Sequence, residues 1–363
     1  MSFEIMDLRP RSQILAGRLW SRSAARERAP GEAGWWDRAV AAWTLGRVRR
    51  RRLPAGGPFL VSLGNLSLGG TGKTPVLLRL AADLAGAGLA VGILTRGYGS
   101  ALPGPLVVSA GNEGCGDEAR LMASRLAGTG TVVVQARRRS AGLEFLRRQA
   151  PDLDLVLLED AHQTGGIGRD LDVLLLDRWR VEESPGRTGH LIPLCGPVLP
   201  FGPWREPADG ARRAGIWLVE AERAAAGVGR WGGPVAAFAR RPVLGVGTIP
   251  GRAVKDGPWA ALSGIARPEP FEAAATAAVG SEPALVIRCR DHEPFGPGVR
   301  GRILAAVRRC GASSVVCTAK DWIKLEGVWP GDLNGVVLDQ RLVWTSEPAL
   351  PDLIRKRRSS SRR

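Results

Sequence analysis

The segment Ser67–Thr74, Ser-Leu-Gly-Gly-Thr-Gly-Lys-Thr, constrains this chain more than any other. Phe59–Leu63 before it are apolar enough for a buried strand, and Pro75–Leu84 after it carry apolar residues at helical spacing. Strand, glycine turn and helix, in that order, is the layout of a phosphate-binding loop. The glycines let backbone N–H groups converge on phosphate oxygens, and the helix N-terminus adds its partial positive charge. In this reading Lys73 reaches the outer phosphates and the Thr74 hydroxyl sits on a magnesium ion. Ser67 stands where the strict pattern has glycine.

At 363 residues the chain has room for two domains. Apolar residues make up 44%, an ordinary share for a globular protein, so bulk disorder is not expected. No run of eighteen apolar residues occurs, so no segment is expected to span a bilayer. Met1–Pro10 has Glu4 and Asp7 and no continuous apolar stretch, which argues against a secretory signal. The 5 cysteines are scattered without a Cys-x-x-Cys pair, so neither a disulfide framework nor a zinc site is expected and a reducing compartment fits. Net charge is +16, which favours a polyanionic partner: nucleic acid, an anionic membrane surface or a phosphorylated substrate.

In Trp35–Arg52, Trp36, Val40 and Trp43 share one helical face and a basic cluster follows. Two readings stand side by side: a helix lying in a membrane interface, or tryptophans packed on the protein's own core. Beyond the phosphate loop, Ala90–Thr95 reads as a strand that delivers Arg96 to the ligand-binding edge of a parallel sheet. Gly116-Asp117-Glu118 heads a helical stretch, where acids suit a helix N-terminus. Thr131–Val134 is a further strand, followed by Arg137–Arg139 and a helix through Arg148. Leu153–Leu158 is a continuous apolar run ending in Glu159-Asp160. A buried strand with a carboxylate at its tip is the Walker B arrangement for magnesium. Leu171–Leu176 is another buried strand, and Gly186–Pro207 reads as a long Pro- and Gly-rich loop.

The C-terminal part carries strand patterns at Gly215–Glu220, Val235–Phe238, Val243–Val246, Ala284–Arg288, Ser314–Thr318 and Gly335–Leu338, with helices near Phe271–Ala278 and Arg300–Arg309. The expected fold class is α/β: a P-loop NTPase-like parallel-sheet domain with a second, smaller α/β domain. The expected division is residues 1–53 as an N-terminal segment, 54–230 as the P-loop domain, 231–345 as the smaller domain and 346–363 as a basic, disordered tail.

Gly64-Asn-Leu-Ser-Leu-Gly-Gly-Thr-Gly-Lys-Thr-Pro75, Arg96-Gly-Tyr-Gly99, Gly116-Asp-Glu118, Gly202-Pro-Trp-Arg-Glu-Pro207, Arg290-Asp-His292 and Thr318-Ala-Lys-Asp321 occur in that order. In this the chain resembles the tetraacyldisaccharide 4'-kinase family, from about Trp35 to Leu325, and a non-glycine first position is typical of that family's P-loop. The resemblance implies phosphorylation of the 4' hydroxyl of the lipid A disaccharide precursor with ATP and magnesium. It puts the ATP phosphates on Gly69, Gly70, Thr71, Gly72 and Lys73, and magnesium on Thr74 and Asp160, with Glu159 beside them. It pairs Asp117 with His292 as the dyad that takes the proton from the sugar hydroxyl, assembled at a cleft between the domains. It places Arg96, Arg138, Arg205 and Glu206 around the phosphates and the disaccharide. It also implies a peripheral protein of the inner membrane's cytosolic face, with an anionic glycolipid as substrate and no nucleic-acid partner, which favours the interfacial reading of Trp35–Arg52.

One stretch departs from the family. Where relatives have Asp-Asp-Gly-Leu/Phe-Gln-His, this chain has Glu159-Asp160-Ala161-His162-Gln163-Thr164. A relative that binds nucleotide or lipid without turnover is the alternative this departure raises. The presence of Lys73, Asp117 and His292 argues for the kinase.

Overall fold

The computed structural model describes residues 4–15, 27–49, 57–68, 71–112, 114–184, 187–222, 229, 232–245 and 254–361. The chain divides into two compact units, one of residues 18–239 and 342–363 and a smaller one of residues 1–17 and 240–341.

In the larger unit, β2 (Phe59–Asn65), β3 (Val91–Thr95), β5 (Val132–Gln135), β6 (Leu155–Glu159), β7 (Leu171–Leu176) and β10 (Ile216–Glu220) form a parallel sheet, with the first half of β11 (Val235–Leu244) beside β10. Its order is β11-β10-β7-β2-β6-β3-β5, closed by the short antiparallel β4 (Leu106–Val107). β2 lies between β6 and β7, and Leu63 stands opposite Glu159. The phosphate loop and the carboxylate strand therefore end side by side. The strands are apolar on both faces because both faces are covered. Phe59, Val61 and Leu63 point into a core shared with α2 (Lys73–Gly86) and α3 (Asp117–Arg125), while Leu60 joins Leu143 and Leu146 of α4 (Arg139–Gln149). β8 (Trp179–Ser184) and β9 (Arg187–Pro193) form a separate antiparallel hairpin.

The smaller unit is a parallel sheet of β1 (Glu4–Asp7), β13 (Leu285–Arg288), β12 (Trp259–Ser263), β14 (Ser314–Thr318) and the first part of β15 (Asn334–Trp344), in that order. One face packs on α6 (Pro297–Arg309) and α7 (Ala319–Leu325), and the other on α5 (Glu269–Val279).

Several elements differ from expectation. β1 belongs to the smaller unit, paired with β13 from Glu4↔Leu285 to Asp7↔Arg288. Val235–Phe238 and Val243–Val246 are not two strands, since β11 runs unbroken to Leu244, Val246 lies outside the described residues, and the charged Arg240-Arg241-Pro242 step had masked the continuity. The tail is helical: α8 (Leu350–Ser361) seats Leu350 and Ile354, both 0% exposed, in the larger core. Its few apolar residues fall three or four apart, enough to anchor one helical face despite the basic composition.

The helix α1 (Trp35–Arg49) also corrects the single-face reading. Trp36 and Val40 pack against a core with Trp204 and Trp217, and the Trp36 indole donates to Leu199 O at 2.8 Å. Trp43 is 63% exposed and Trp35 74% exposed, with the Arg47 guanidinium 4.6 Å from the Trp43 ring. The helix thus splits its tryptophans between core and surface, and Arg50–Arg52 lie outside the described residues. No helix among the described residues is long and apolar enough to cross a membrane.

Candidate active site

β2 ends in Gly64-Asn65. A side chain at Gly64 would meet His162 Cβ at 2.6 Å, so only glycine lets the segment after β6 lie against β2 here. Gly69 and Gly70 lie outside the described residues. Gly72 caps α2 in the left-handed conformation, φ 84°, with no side-chain cap, so the first-turn N–H groups are left for an anion. Lys73 Nζ donates to Asn65 Oδ1 at 2.9 Å and lies 3.5 Å from Thr71 Oγ1 and 3.6 Å from Asp160 Oδ1. Thr74, buried, follows in the same turn.

The carboxylates come from the tip of β6. Asp160 takes a left-handed backbone, φ 49°, tied by its N–H to Leu63 O at 2.9 Å. Aspartate is among the few residues that tolerate this region. Burial disfavours its charge, but Lys73 and Arg205 outweigh that and hold the carboxyl down at about 2. Glu159 goes the other way. Burial, with Glu118 and Asp160 nearby, pushes it up to about 7 against the pull of Arg139 and Lys73. Thr95 at the end of β3 donates to Glu159 Oε2 at 3.1 Å.

Arg205 arrives from far along the chain. The Gly202–Pro207 segment runs beside the rising limb of the phosphate loop: Leu68 N–H donates to Pro203 O at 2.7 Å, Arg205 N–H to Leu66 O at 2.7 Å, and Ser67 bridges Trp204. This register aims Arg205 Nη1 at Asp160 Oδ1, 2.8 Å away. Glu206 points the opposite way. Fully buried, it accepts from Arg213 Nη2 at 2.7 and 2.8 Å and from Gln163 Nε2 at 2.7 Å. Glu206 therefore fixes the backbone beside Arg205, and its carboxylate is already occupied by protein donors.

Arg138 is the exposed N-cap of α4, and Arg96 is exposed at the end of β3. Neither is drawn into the cluster of Lys73, Asp160 and Arg205 by a described hydrogen bond. Arg139, next to Arg138, is buried and reaches under the carboxylates: Nη2 donates to the carbonyls of Glu159 and Asp160, and Nη1 to Thr164 Oγ1 at 2.8 Å. Desolvation lowers its guanidinium to about 10. Thr164, at the departing position, is thus part of the clamp. His162 is fully buried, its Nε2 3.1 Å from Gly210 O and its Nδ1 3.8 Å from Asp172, so it braces β7.

Asp117 and Glu118 open α3, whose N-cap Gly116 donates its N–H to Gln135 Oε1 at 2.9 Å. In the smaller unit, His292 follows β13 in a turn closed by Glu293 N–H to Arg290 O at 3.1 Å, with its own φ at 57°. Its side chain is 26% exposed. Asp117 and His292 thus belong to different units.

The donor set fits a magnesium-bound nucleotide. A hydroxyl at the start of α2, a carboxylate held ionised at the tip of β6, and a second carboxylate whose charge is opposed by burial and then by its acidic neighbours are what a divalent cation would satisfy. Asn65, Arg139, Gln163 and Arg213 complete the site without having been picked out from sequence. Asn65 and Gln163 stood inside the quoted motifs, but nothing local signalled Arg139 over its arginine neighbours.

Residues 38–358 match the family described as tetraacyldisaccharide-1-P 4'-kinase. The tetraacyldisaccharide 4'-kinase of Anaeromyxobacter dehalogenans strain 2CP-C is 37% identical over 317 residues, covering 80% of this chain and 79% of that protein. The tetraacyldisaccharide 4'-kinase of Maricaulis maris strain MCS10 is 34% identical over 329 residues, 89% of this chain and 88% of its own. The crystal structure of LpxK from Aquifex aeolicus in complex with ATP superposes with a TM-score of 0.61 over 89% of this chain and 99% of that one. At 24% identity it speaks to the fold.

Proposed function

The chain belongs to the tetraacyldisaccharide-1-P 4'-kinase family, and on that premise we propose that it transfers the γ-phosphoryl group of ATP to the 4' hydroxyl of a tetraacyldisaccharide 1-phosphate. The observation that carries the reading is the convergence of Lys73, Asp160 and Arg205 at the adjoining ends of β2 and β6.

Phosphoryl transfer asks the protein chiefly for positioning and charge neutralisation. Lys73, resting on Asn65 and Asp160, is placed to turn onto the outer phosphates. Arg205 keeps Asp160 ionised and adds a second positive charge at the same edge. Thr74, Asp160 and Glu159 would hold magnesium, which when bound neutralises charge on the phosphate oxygens. Arg139 fixes the backbone carbonyls of Glu159 and Asp160 and so holds the strand tip that would present both carboxylates to the cation. Asp117 and His292 are assigned to the acceptor hydroxyl, as the pair that removes its proton, and Arg96 and Arg138 to the anionic groups of nucleotide and disaccharide.

The substrate is an anionic glycolipid, and the exposed Trp35 and Trp43, with Arg47 over the latter, support contact with a lipid headgroup layer. We assign the protein to the cytosolic face of the inner membrane as a peripheral enzyme, with no nucleic-acid partner. The deciding experiment incubates the protein with γ-labelled ATP, Mg2+ and tetraacyldisaccharide 1-phosphate. Label in the glycolipid at the 4' position is expected. Nucleotide binding without any label transfer would favour a non-catalytic relative.

A further inference from the structure

Thr318-Ala-Lys-Asp321 begins at the end of β14 and has no part in the site described so far. Thr318 is the N-cap of α7, and its Oγ1 accepts from Asp321 N–H at 3.2 Å. In an ordinary capping box the acid three residues on reaches back to the N-cap's own N–H. Asp321 does something else. Its carboxylate is 0% exposed, and Oδ2 accepts from Gly264 N–H at 2.9 Å, on the neighbouring strand β12, and from Thr318 Oγ1 at 2.7 Å. Lys324 Nζ stands 3.5 Å from Oδ1.

Gly264 is the junction. Its carbonyl accepts from His292 N–H at 3.1 Å, one step beyond the bond from Cys289 N–H to Ser263 O. A side chain at Gly264 would meet Asp321 Oδ1 at 2.9 Å, Arg290 O at 3.3 Å and Glu293 Cβ at 3.3 Å. Asp321 and the Arg290–Glu293 turn are thus separated by one backbone unit. His292 itself sits at φ 57°, a conformation a histidine keeps only when its surroundings impose it. The N–H that Asp321 holds and the carbonyl that holds His292 flank the same residue.

We propose that Asp321 is a positioning residue for His292, acting through the two backbone hydrogen bonds of Gly264. The inference rests on the reading of His292 as part of the acceptor-side dyad. Removing the carboxylate frees Gly264, lets the turn relax toward ordinary backbone angles and swings the imidazole away from where it works. A buried carboxylate here is costly unless its acceptors are used, and a local cap would need only Thr318.

The test is a double-mutant cycle with an independent view of the ring. Asp321→Ala is expected to lower kcat on the order of 10- to 100-fold, with KM for ATP unchanged. In a His292→Ala background it is expected to lower kcat no further. The chain has only 3 histidines, so the His292 imidazole resonance is assignable by difference and should shift in Asp321→Ala. Should that variant not fold, Gly264→Ala pushes the turn directly and should give the same kinetic signature and shift. Equal losses of kcat in both backgrounds, or an unmoved resonance with unchanged kcat, would overturn the proposal. If His292→Ala itself keeps full turnover, the dyad reading falls, and the resonance alone decides whether Asp321 positions the ring.

Discussion

Lys73 and Asp160 neutralise one another at 3.6 Å, and Arg205 adds a second cation to the same carboxylate at 2.8 Å. Because the Lys73 ammonium rests, among the described residues, on the polar groups of Asn65, Thr71 and Asp160 at the edge of the site and not in the apolar core, Lys73→Ala should abolish phosphate transfer while leaving the melting temperature close to wild type. Turnover in that variant at the wild-type rate would contradict the site. Arg205→Ala should cost on the order of 100-fold in kcat, read in the same labelled-phosphate assay. Glu159 makes a pH prediction. Its carboxyl is raised from 4.5 to about 7 in the folded chain, so folding favours its protonated form. That contribution is complete below pH 4.5 and lost as pH rises through about 7. Glu159→Gln should therefore match wild type near pH 4.5 and be more stable at pH 8, on the order of 3 kcal/mol, by urea denaturation without Mg2+. Lys73 and Asp160 were legible because each sits at the end of a short local pattern. Arg139 was not, since in Arg137–Arg139 only the helix geometry decides which arginine turns inward.

Among the elements, α8 shows how composition misleads. Arg355-Lys-Arg-Arg358 reads as a solvated tail, yet Leu350 and Ile354 sit in the core that backs α2, and Arg358 pairs with Asp154. Leu350→Ala or Ile354→Ala should each destabilise the protein by about 2–4 kcal/mol, measured by chemical denaturation. An unchanged midpoint would mean that the helix does not dock. For α1, two of the three tryptophans stand clear of the core. Replacing Trp35 and Trp43 by serine should weaken sedimentation with anionic vesicles and leave stability nearly unaltered, whereas Trp36→Ser should destabilise through its lost packing and its bond to Leu199. The β8–β9 hairpin escaped the sequence reading because the alternation of Trp179-Arg-Val-Glu182 is only four residues long and β9 lies in a Gly- and Pro-containing stretch that reads as loop, and β12 because alanine is a poor signal for a strand.

At the scale of the whole molecule, the net charge of +16 suits a phosphorylated substrate, and if the proposed membrane contact is electrostatic, binding to anionic vesicles should fall as salt rises. ATP with Mg2+ at a hundred times its Kd should stabilise the native state by about 2.7 kcal/mol, and both EDTA and Lys73→Ala should remove that gain in a thermal melt. The sequence by itself determined the phosphate loop, the carboxylate-tipped strand after it and the α/β class. Glycine freedom, helix-terminal charge and continuous apolar runs act between consecutive residues and so are written locally. Only the tertiary structure decided that Arg205 locks onto Asp160, that Arg139 clamps the loop through Thr164, that Glu206 is held by Arg213, and that Glu4–Asp7 completes the smaller sheet. Those partners lie far apart along the chain, except for Glu206 and Arg213, and no periodicity names a partner. Burial and strand register choose it once the chain has folded.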